Sequence, residues 1–163
     1  MSETKKPRSS YHGPNSTIAD NRRARFDYFL EQHFEAGIAL TGTEVKSLRL
    51  GQCSLNESYA GAHEGEIYLY NCFIPEYGQA GAHLQHSPKR PRKLLLSKRE
   101  VHKMMGAVTR DGYTLVPVRL YFNARNMVKM DLALAKGKNT ADKRQDVKKR
   151  DWTREKSRLM RSK

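Results

Sequence analysis

The chain has 163 residues and a net charge of +14, from 31 Lys and Arg against 17 Asp and Glu. This length supports one domain with a real core and is too short for two. It contains no apolar run long enough to span a bilayer and no apolar stretch in the first twenty residues. The sequence therefore shows no membrane span and no secretory signal, and we expect a cytoplasmic protein.

The charge is concentrated at the two ends of the chain. Residues 1–25 carry a net charge of +4, residues 26–135 only +2, and residues 136–163 carry +8. A basic segment beside a nearly neutral body favours binding to a polyanion, since neutralised phosphates release counterions. The alternative is a tail that only improves solubility.

In chain order, residues 1–20 lack periodicity and are rich in Ser, Lys and Pro, which predicts a disordered arm. The aromatic and β-branched run "DYFLEQHFEAGIAL", residues 27–40, predicts one long bent strand. In "TGTEVKSLRLG", Thr41 and Glu44 form a capping box and Gly51 is a left-handed stop, so this segment is predicted to be a short helix.

The middle of the chain predicts a hairpin and a second helix. The turn signal Glu64-Gly65 divides "ESYAGAHEGEIYLYNCFIP" into two strands, and a long loop follows. "RKLLL" is predicted to be a short strand or a lead into a helix. Ser97 and Glu100 form a second capping box, and the helix that they begin is predicted to end at Gly106.

The clearest pattern is the alternation in residues 115–122 and 128–134, with the turn "NARN" between them. A connection this short requires antiparallel pairing. The predicted fold is mainly β: a small closed antiparallel barrel with two or three short helices. The barrel domain spans residues 21–135, after the arm of residues 1–20, and the basic tail spans residues 136–163.

No motif indicates catalysis. The chain has no G-x-S-x-G, P-loop or G-x-G-x-x-G sequence, and the H-x-x-H formed by His83 and His86 lacks a third ligand. We therefore predict no catalytic residue, no metal and no cofactor, and favour a binding module over an enzyme. Cys53 and Cys72 form no C-x-x-C motif, and free buried thiols are favoured over a lone disulfide.

Two basic clusters indicate RNA as the ligand. "NRRARFDYF" leads from cations into aromatic residues, and "PKRPRKLLL" holds four cations in a segment that its prolines keep extended. RNA is recognised through phosphate and 2′-hydroxyl contacts and through stacking on unpaired bases, for which Arg and aromatic side chains are suited. Solvated basic loops are the alternative for each cluster.

Four blocks in order carry a more specific signal: "NRRARFDYFLEQHFEAGIALTGTEVKSLRLG", "PKRPRKLLL", "LALAKGKNTADKR" and "RDWTREKSRLM". Together they resemble the bacterial SsrA-binding protein family over residues 21–160. The resemblance implies an oligonucleotide-binding-type barrel that binds the tRNA-like domain of transfer-messenger RNA. It also implies delivery of that RNA to stalled ribosomes for trans-translation, in which the nascent chain is tagged and the protein itself catalyses nothing.

The resemblance also assigns site residues. It implies transfer-messenger RNA contacts at Asn21, Arg22, Arg25, Glu35, Arg92, Lys93 and Leu95, with a core position as the alternative for Leu95. It implies a second site, in the decoding centre of the ribosome, at Lys136, Gly137, Lys138, Asp142, Lys143, Arg144, Trp152, Leu159 and Met160. The chain departs from the family pattern at Asn139 and Ala141, where a second Lys and a ring are usual.

Further expectations concern the tail and the partners. The tail has few large apolar residues, so we predict that it is unfolded in the free protein and helical in the message channel. The implied partners are transfer-messenger RNA and the ribosome, through 16S rRNA, the mRNA channel and the decoding centre. Alanyl-tRNA synthetase and elongation factor Tu are implied only indirectly, and the protein is expected to be a monomer that contacts no membrane.

Two other functions stay open from the residues alone. A structural ribosomal protein could thread a basic tail into ribosomal RNA. An RNA-modifying or RNA-cleaving enzyme is the third candidate, and the missing catalytic motifs argue against it.

Overall fold

In the computed structural model, which describes residues 11–162, seven antiparallel strands form one sheet in the order β1-β6-β7-β2-β5-β4-β3. The strands are β1 Thr17–Asp20, β2 Tyr28–Ile38, β3 Tyr59–His63, β4 Glu66–Tyr70, β5 Arg92–Leu95, β6 Thr114–Phe122 and β7 Val128–Gly137. The helices are α1 Arg22–Asp27, α2 Gly42–Arg49, α3 Lys98–Arg110 and α4 Thr140–Arg161, with one 3₁₀ turn at Ala82–Leu84.

The core lies between one face of this sheet and the helices α2 and α3. Leu48 of α2 and Met104 of α3 are fully buried, as the helical periodicity of their segments requires. They join a cluster from the strands whose large, fully buried members are Ile67, Leu69, Leu94, Leu120, Phe122, Met130 and Leu132.

The mainly β, oligonucleotide-binding-type class predicted from the sequence is confirmed, but the prediction of full closure is wrong. In the described residues β3 lies against β6 without a hydrogen-bonded ladder between them. A cavity of about 190 Å³ lies between the two strands, and Met105 and Val108 of α3 also line it. Side chains of α3 thus lie beside the gap between β3 and β6.

Local signals predicted several elements correctly. Glu44 Oε1 accepts a hydrogen bond from the Thr41 amide at 2.9 Å, and the Ser97 hydroxyl accepts from the Glu100 amide at 3.3 Å. The hairpin turns at Glu64-Gly65, where both φ angles are positive. The turn "NARN" joins β6 to β7, and the two strands pair antiparallel.

Four boundaries differ from the predictions. Thr17–Asp20, predicted to be disordered, forms β1 and pairs with β6, while the predicted disorder of residues 1–10 lies outside the described residues. The short helix α1 was not predicted, since six residues hold too little apolar periodicity. Helix α3 continues one turn past Gly106, and β7 continues to Gly137, two residues beyond the predicted end of the domain.

Candidate nucleic-acid interface

Two of the predicted RNA contacts are buried and have protein partners. Asn21 caps α1: its Oδ1 accepts from the Ala24 amide at 3.2 Å, and its Nδ2 donates to the Pro117 carbonyl at 2.9 Å. Arg92 is fully buried and donates to the Cys72 carbonyl at 2.7 Å and to the Pro88 carbonyl at 3.1 Å. The prediction that these side chains lie on the RNA-facing surface is therefore wrong, because neither is accessible.

Glu44 is the counter-ion of Arg92. Its carboxylate is also buried and bonds both Arg92 and Arg90, the latter from Nε at 3.1 Å. Burial alone would raise the pKa of Glu44, but the hydrogen bonds from Arg90, the Thr41 amide and Arg92 outweigh it and hold the pKa below its ordinary value. Glu44 thus fixes α2 to the segment that leads into β5.

Three other predicted contacts share the outer face of the sheet. Leu95 of β5 pairs with Gly37 of β2, and paired residues face the same side of a sheet. Glu35 is two residues from Gly37 along β2, so Glu35 and Leu95 lie on the same face. Leu95 is 52% exposed, which removes the alternative of a core position. Lys93, two residues along β5, lies on the same face with its Nζ 3.6 Å from Glu66. Glu35 accepts a hydrogen bond from the Tyr121 hydroxyl and is exposed.

The remaining predicted cations meet in a second place, between α1 and α4. Arg22 and Arg25 are exposed on α1, and the cavity that they line has a volume of about 530 Å³. Lys138 lines the same cavity, so residues predicted for two separate RNA sites are neighbours here. The cavity's other lining residues are Asp20, Phe26, Asp146, Lys149 and Arg150. We call this cavity the α1–α4 groove.

Ionic and cation–π contacts attach the first part of α4 to α1. Lys143 Nζ lies 3.1 Å from Asp27, and the Arg150 guanidinium lies 5.1 Å from the centre of the Phe26 ring. Lys138 bonds the Asp146 carboxylate, and this hydrogen bond lowers the pKa of Asp146. These contacts give the tail a fixed starting direction.

The end of α4 has no such contacts. Trp152, Leu159 and Met160 are 68%, 64% and 73% exposed, and no residue of α4 is buried. The helical backbone of α4 is a static feature of the structure, and the predicted unfolding of the free tail concerns dynamics and stays a prediction.

The tail residues near the joint have structural partners. Lys136 lies with its Nζ 4.6 Å from the Tyr113 ring centre, and Gly137 ends β7 opposite Tyr28. Asn139, one of the two departures from the family pattern, is the N-cap of α4, and its side chain accepts from the Asp142 amide at 2.9 Å. The remaining predicted tail residue, Arg144, is exposed.

Of the eight residues that line the α1–α4 groove, sequence reasoning missed five: Asp20, Phe26, Asp146, Lys149 and Arg150. Phe26 was visible as the aromatic residue that ends the "RRARF" run. The two cations are more than 120 residues away in a uniformly basic helix, where nothing local distinguishes them from their neighbours.

His83 and His86 do not form a metal site in the described part of the chain. His86 is buried, and its ring nitrogens lie 2.8 Å from the Thr43 hydroxyl and 2.8 Å from the Ile74 carbonyl. Within residues 11–162, no group of three or more His, Cys, Asp or Glu side chains could hold a metal ion. None of the helices described here is long and apolar enough to cross a membrane.

The fold and the cationic α1–α4 groove define a class: a single-domain β protein of the oligonucleotide-binding type with a basic helical extension. The model of the SmpB protein family matches residues 18–162, and the chain belongs to this family.

Three similar proteins illustrate the relationship. The SsrA-binding protein of Rhodopseudomonas palustris strain BisB18 is 59% identical over 149 residues, which cover 91% of this chain and 94% of that protein. That of Novosphingobium aromaticivorans is 59% identical over 143 residues, covering 88% and 89%. A solved chain described as "tmRNA-SmpB: a journey to the center of the bacterial ribosome" is 46% identical, with a TM-score of 0.61, and the match covers 79% of this chain and 93% of that one.

Proposed function

We propose that this chain binds the tRNA-like domain of transfer-messenger RNA and delivers it to stalled ribosomes for trans-translation. The proposal is supported by membership of the SmpB protein family, by relatives named SsrA-binding protein, and by similarity to a chain described in a tmRNA-SmpB complex of the bacterial ribosome. No bond is made or broken by the protein in this proposal, which makes it a non-catalytic binding factor.

The observation that carries the proposal is the α1–α4 groove. Arg22 and Arg25 on α1 and Lys149 and Arg150 on α4 line one cavity together with the Phe26 ring. Guanidinium groups pair with phosphates in fixed geometry, and an aromatic ring can receive an unstacked base or a ribose. This combination suits a folded RNA better than it suits a metabolite or a peptide.

The outer sheet face supplies a second contact area in the proposal. Lys93 offers a cation, Leu95 an exposed apolar surface for a base, and Glu35 an acceptor for base amino groups. Arg92 and Asn21 act indirectly, since each holds in place the backbone that presents these side chains and α1.

For the tail, we propose that α4 follows the empty mRNA channel and occupies the decoding centre, against 16S rRNA. Its net charge and its exposed Trp152, Leu159 and Met160 support this, since a helix with unsatisfied apolar and cationic side chains gains from an RNA-lined channel. The proposal needs one monomeric copy in the cytoplasm, with alanyl-tRNA synthetase and elongation factor Tu acting only through the RNA.

The double variant Arg22→Ala and Arg25→Ala tests the groove. We expect its affinity for an isolated tRNA-like domain to fall at least tenfold, and the slope of log K against log salt to decrease by about one per lost phosphate contact. The matched control is Arg99→Ala with Arg110→Ala, which removes two exposed cations from α3. Unchanged affinity in the first pair, or an equal loss in the control, would refute the assignment of RNA binding to the groove.

A further inference from the structure

The two cysteines of the chain lie side by side, although eighteen residues separate them in sequence. The Sγ atoms of Cys53 and Cys72 are 3.6 Å apart, and both are free thiols. Each lies beside a short antiparallel bridge between Ser54 and Phe73, whose amides and carbonyls are joined by hydrogen bonds of 2.9 and 3.1 Å. The bridge fixes the two backbones, so the closeness of the sulfurs does not depend on a mobile loop.

The two thiols differ in accessibility. Cys72 is fully buried, whereas Cys53 is partly exposed. A reagent from solvent therefore reaches Cys53 first, and Cys72 is placed behind it as a resolving thiol.

The charged groups that face the pair are Arg92 and Glu44. Arg92 donates to the Cys72 carbonyl at 2.7 Å, and Glu44 is its counter-ion. A hydrogen bond from Cys53 lowers the pKa of Cys72, burial opposes this, and the Arg92 charge again lowers it. A sulfur with thiolate character is the form that attacks an oxidised partner.

We propose that Cys53 and Cys72 form an oxidative modification site that converts reversibly into an intramolecular disulfide when a peroxide reaches Cys53. The proposal is independent of the function proposed above. It asks the sulfurs to approach by about 1.5 Å, since a disulfide bond is about 2.05 Å long. Side-chain rotation at the partly exposed Cys53 can supply this movement without separating the bridge.

The chemistry balances in two steps. The Cys53 thiol, whose pKa is raised by its hydrogen bond to Cys72 and by burial, attacks one peroxide oxygen and loses its proton; the O–O bond breaks, a sulfenic acid forms, and the departing hydroxide takes that proton as water. The Cys72 sulfur then attacks the Cys53 sulfur; the S–S bond forms, the S–O bond breaks, and the second hydroxide leaves as water with the Cys72 proton. Two thiols and one hydrogen peroxide thus give one disulfide and two waters.

The test treats the reduced full-length protein with hydrogen peroxide and follows its mass and its free thiols. We expect a monomer lighter by two hydrogen atoms, a peptide pair linking Cys53 to Cys72, and full recovery of both thiols with dithiothreitol. The Cys72→Ser variant should accumulate a sulfenic acid at Cys53 that reacts with dimedone. The Cys53→Ser variant should react with dimedone much more slowly, since its remaining thiol is buried.

Several results would overturn the proposal. These are retention of both thiols in the wild-type protein, formation of intermolecular dimers alone, or oxidation of Cys53 to sulfinic acid with Cys72 still reduced. Equal dimedone labelling of the two variants would remove the assigned order of attack. The wild-type mass measurement stands without either variant, so a folding defect in a Ser variant leaves the disulfide itself testable.

Discussion

Arg92 and Lys93 are adjacent in the chain, yet their side chains lie in opposite environments. Arg92 is buried against Glu44, and removal of one member of a buried ion pair leaves an uncompensated charge. We expect Arg92→Ala to lower the free energy of unfolding by about 3–5 kcal/mol, measured by urea denaturation.

Lys93→Ala is the matched control, since it removes the neighbouring cation from an exposed pair with Glu66. Its unfolding free energy should change by less than about 1 kcal/mol, while its RNA affinity falls with a smaller salt slope. If both variants were equally unstable, or if Arg92→Ala were fully stable and defective only in binding, the division between the two residues would be wrong.

Glu44 makes the free energy of unfolding depend on pH in the acidic range. Since hydrogen bonds from Arg90, the Thr41 amide and Arg92 outweigh the effect of burial and hold its pKa below the ordinary value of 4.5, ionised Glu44 stabilises the fold at neutral pH. This contribution is complete above the unfolded pKa and is lost as pH falls through the lower folded pKa.

We therefore expect Glu44→Gln to be about 3–5 kcal/mol less stable at pH 7, because Arg92 loses its charged partner. The difference from wild type should shrink as the pH falls below the ordinary pKa of 4.5 and through the lowered pKa of the folded carboxylate. Urea titrations across this range measure it, and a difference that stays constant with pH would exclude Glu44 as the titrating group.

The sequence could not predict these residue roles. "PKRPRK" appears as one uniform basic run, and the carboxylate that draws Arg90 and Arg92 inward is Glu44, more than forty residues earlier. For Leu95 the sequence favoured neither a core nor a surface position, and only its pairing with Gly37 in the structure shows that it lies on the outer face.

At the scale of elements, α1 and the first turns of α4 depend on each other. Asp27 on α1 forms an ion pair with Lys143 on α4, and the Arg150 guanidinium packs over the Phe26 ring. Residues 151–162 of the described chain are all exposed, and an isolated helical segment of that length is marginal in water. We expect backbone order in the free protein to be high at residues 140–146 and to fall through residues 151–161, measured by heteronuclear NOE.

Asp27→Asn tests the attachment of α4 to α1. Loss of the Lys143 pair should extend the disorder of the tail toward residue 140 and leave the sheet unchanged. The matched control is Asp151→Asn, an exposed acidic residue on the same helix, which should not alter the profile. A rigid tail to residue 161 in the wild-type protein would contradict the prediction that the free tail unfolds.

The elements that could be predicted from sequence are those with a local signature. The capping boxes at Thr41 and Ser97 and the turn at Glu64-Gly65 are set by residues within four positions of each other. Strand β1 lacks such a signature, because it is held by pairing with β6, about a hundred residues later. Helix α1 has a local cap at Asn21, but its six residues hold too little apolar periodicity to be recognised. Strands β3 and β6 are likewise far apart in the chain, so no local pattern indicates whether they form a ladder.

At the scale of the whole molecule, the basic tail begins beside the cations of the body. The body is nearly neutral, yet α1 carries cations to the place where the basic tail begins. RNA bound in the α1–α4 groove would therefore contact both the body and α4, and it would influence the direction in which the tail leaves. The last turns of α4 could still bind in the decoding centre while RNA occupies the groove, because no residue of α4 is buried against the body.

Truncation of the tail tests whether binding of the tRNA-like domain can be separated from action in the decoding centre. The cut belongs after Lys138, because Gly137 still pairs with Tyr28 and the Lys138 amide donates to the Asp27 carbonyl at 2.8 Å. We expect the chain of residues 1–138 to fold and to keep measurable affinity for the tRNA-like domain through Arg22, Arg25 and the outer sheet face, although it loses the groove cations Lys149 and Arg150 with the rest of α4.

The same truncation should abolish peptide tagging on stalled ribosomes, because residues 139–163 carry most of the tail's net charge and the exposed apolar side chains proposed for the decoding centre. A full-length variant with Trp152→Ala, Leu159→Ala and Met160→Ala removes the apolar contacts of the tail and keeps its charge. Its unfolding free energy should match wild type within about 0.5 kcal/mol, since these side chains are exposed. Tagging that survives the truncation while RNA binding is lost would reverse the assignment of the two parts.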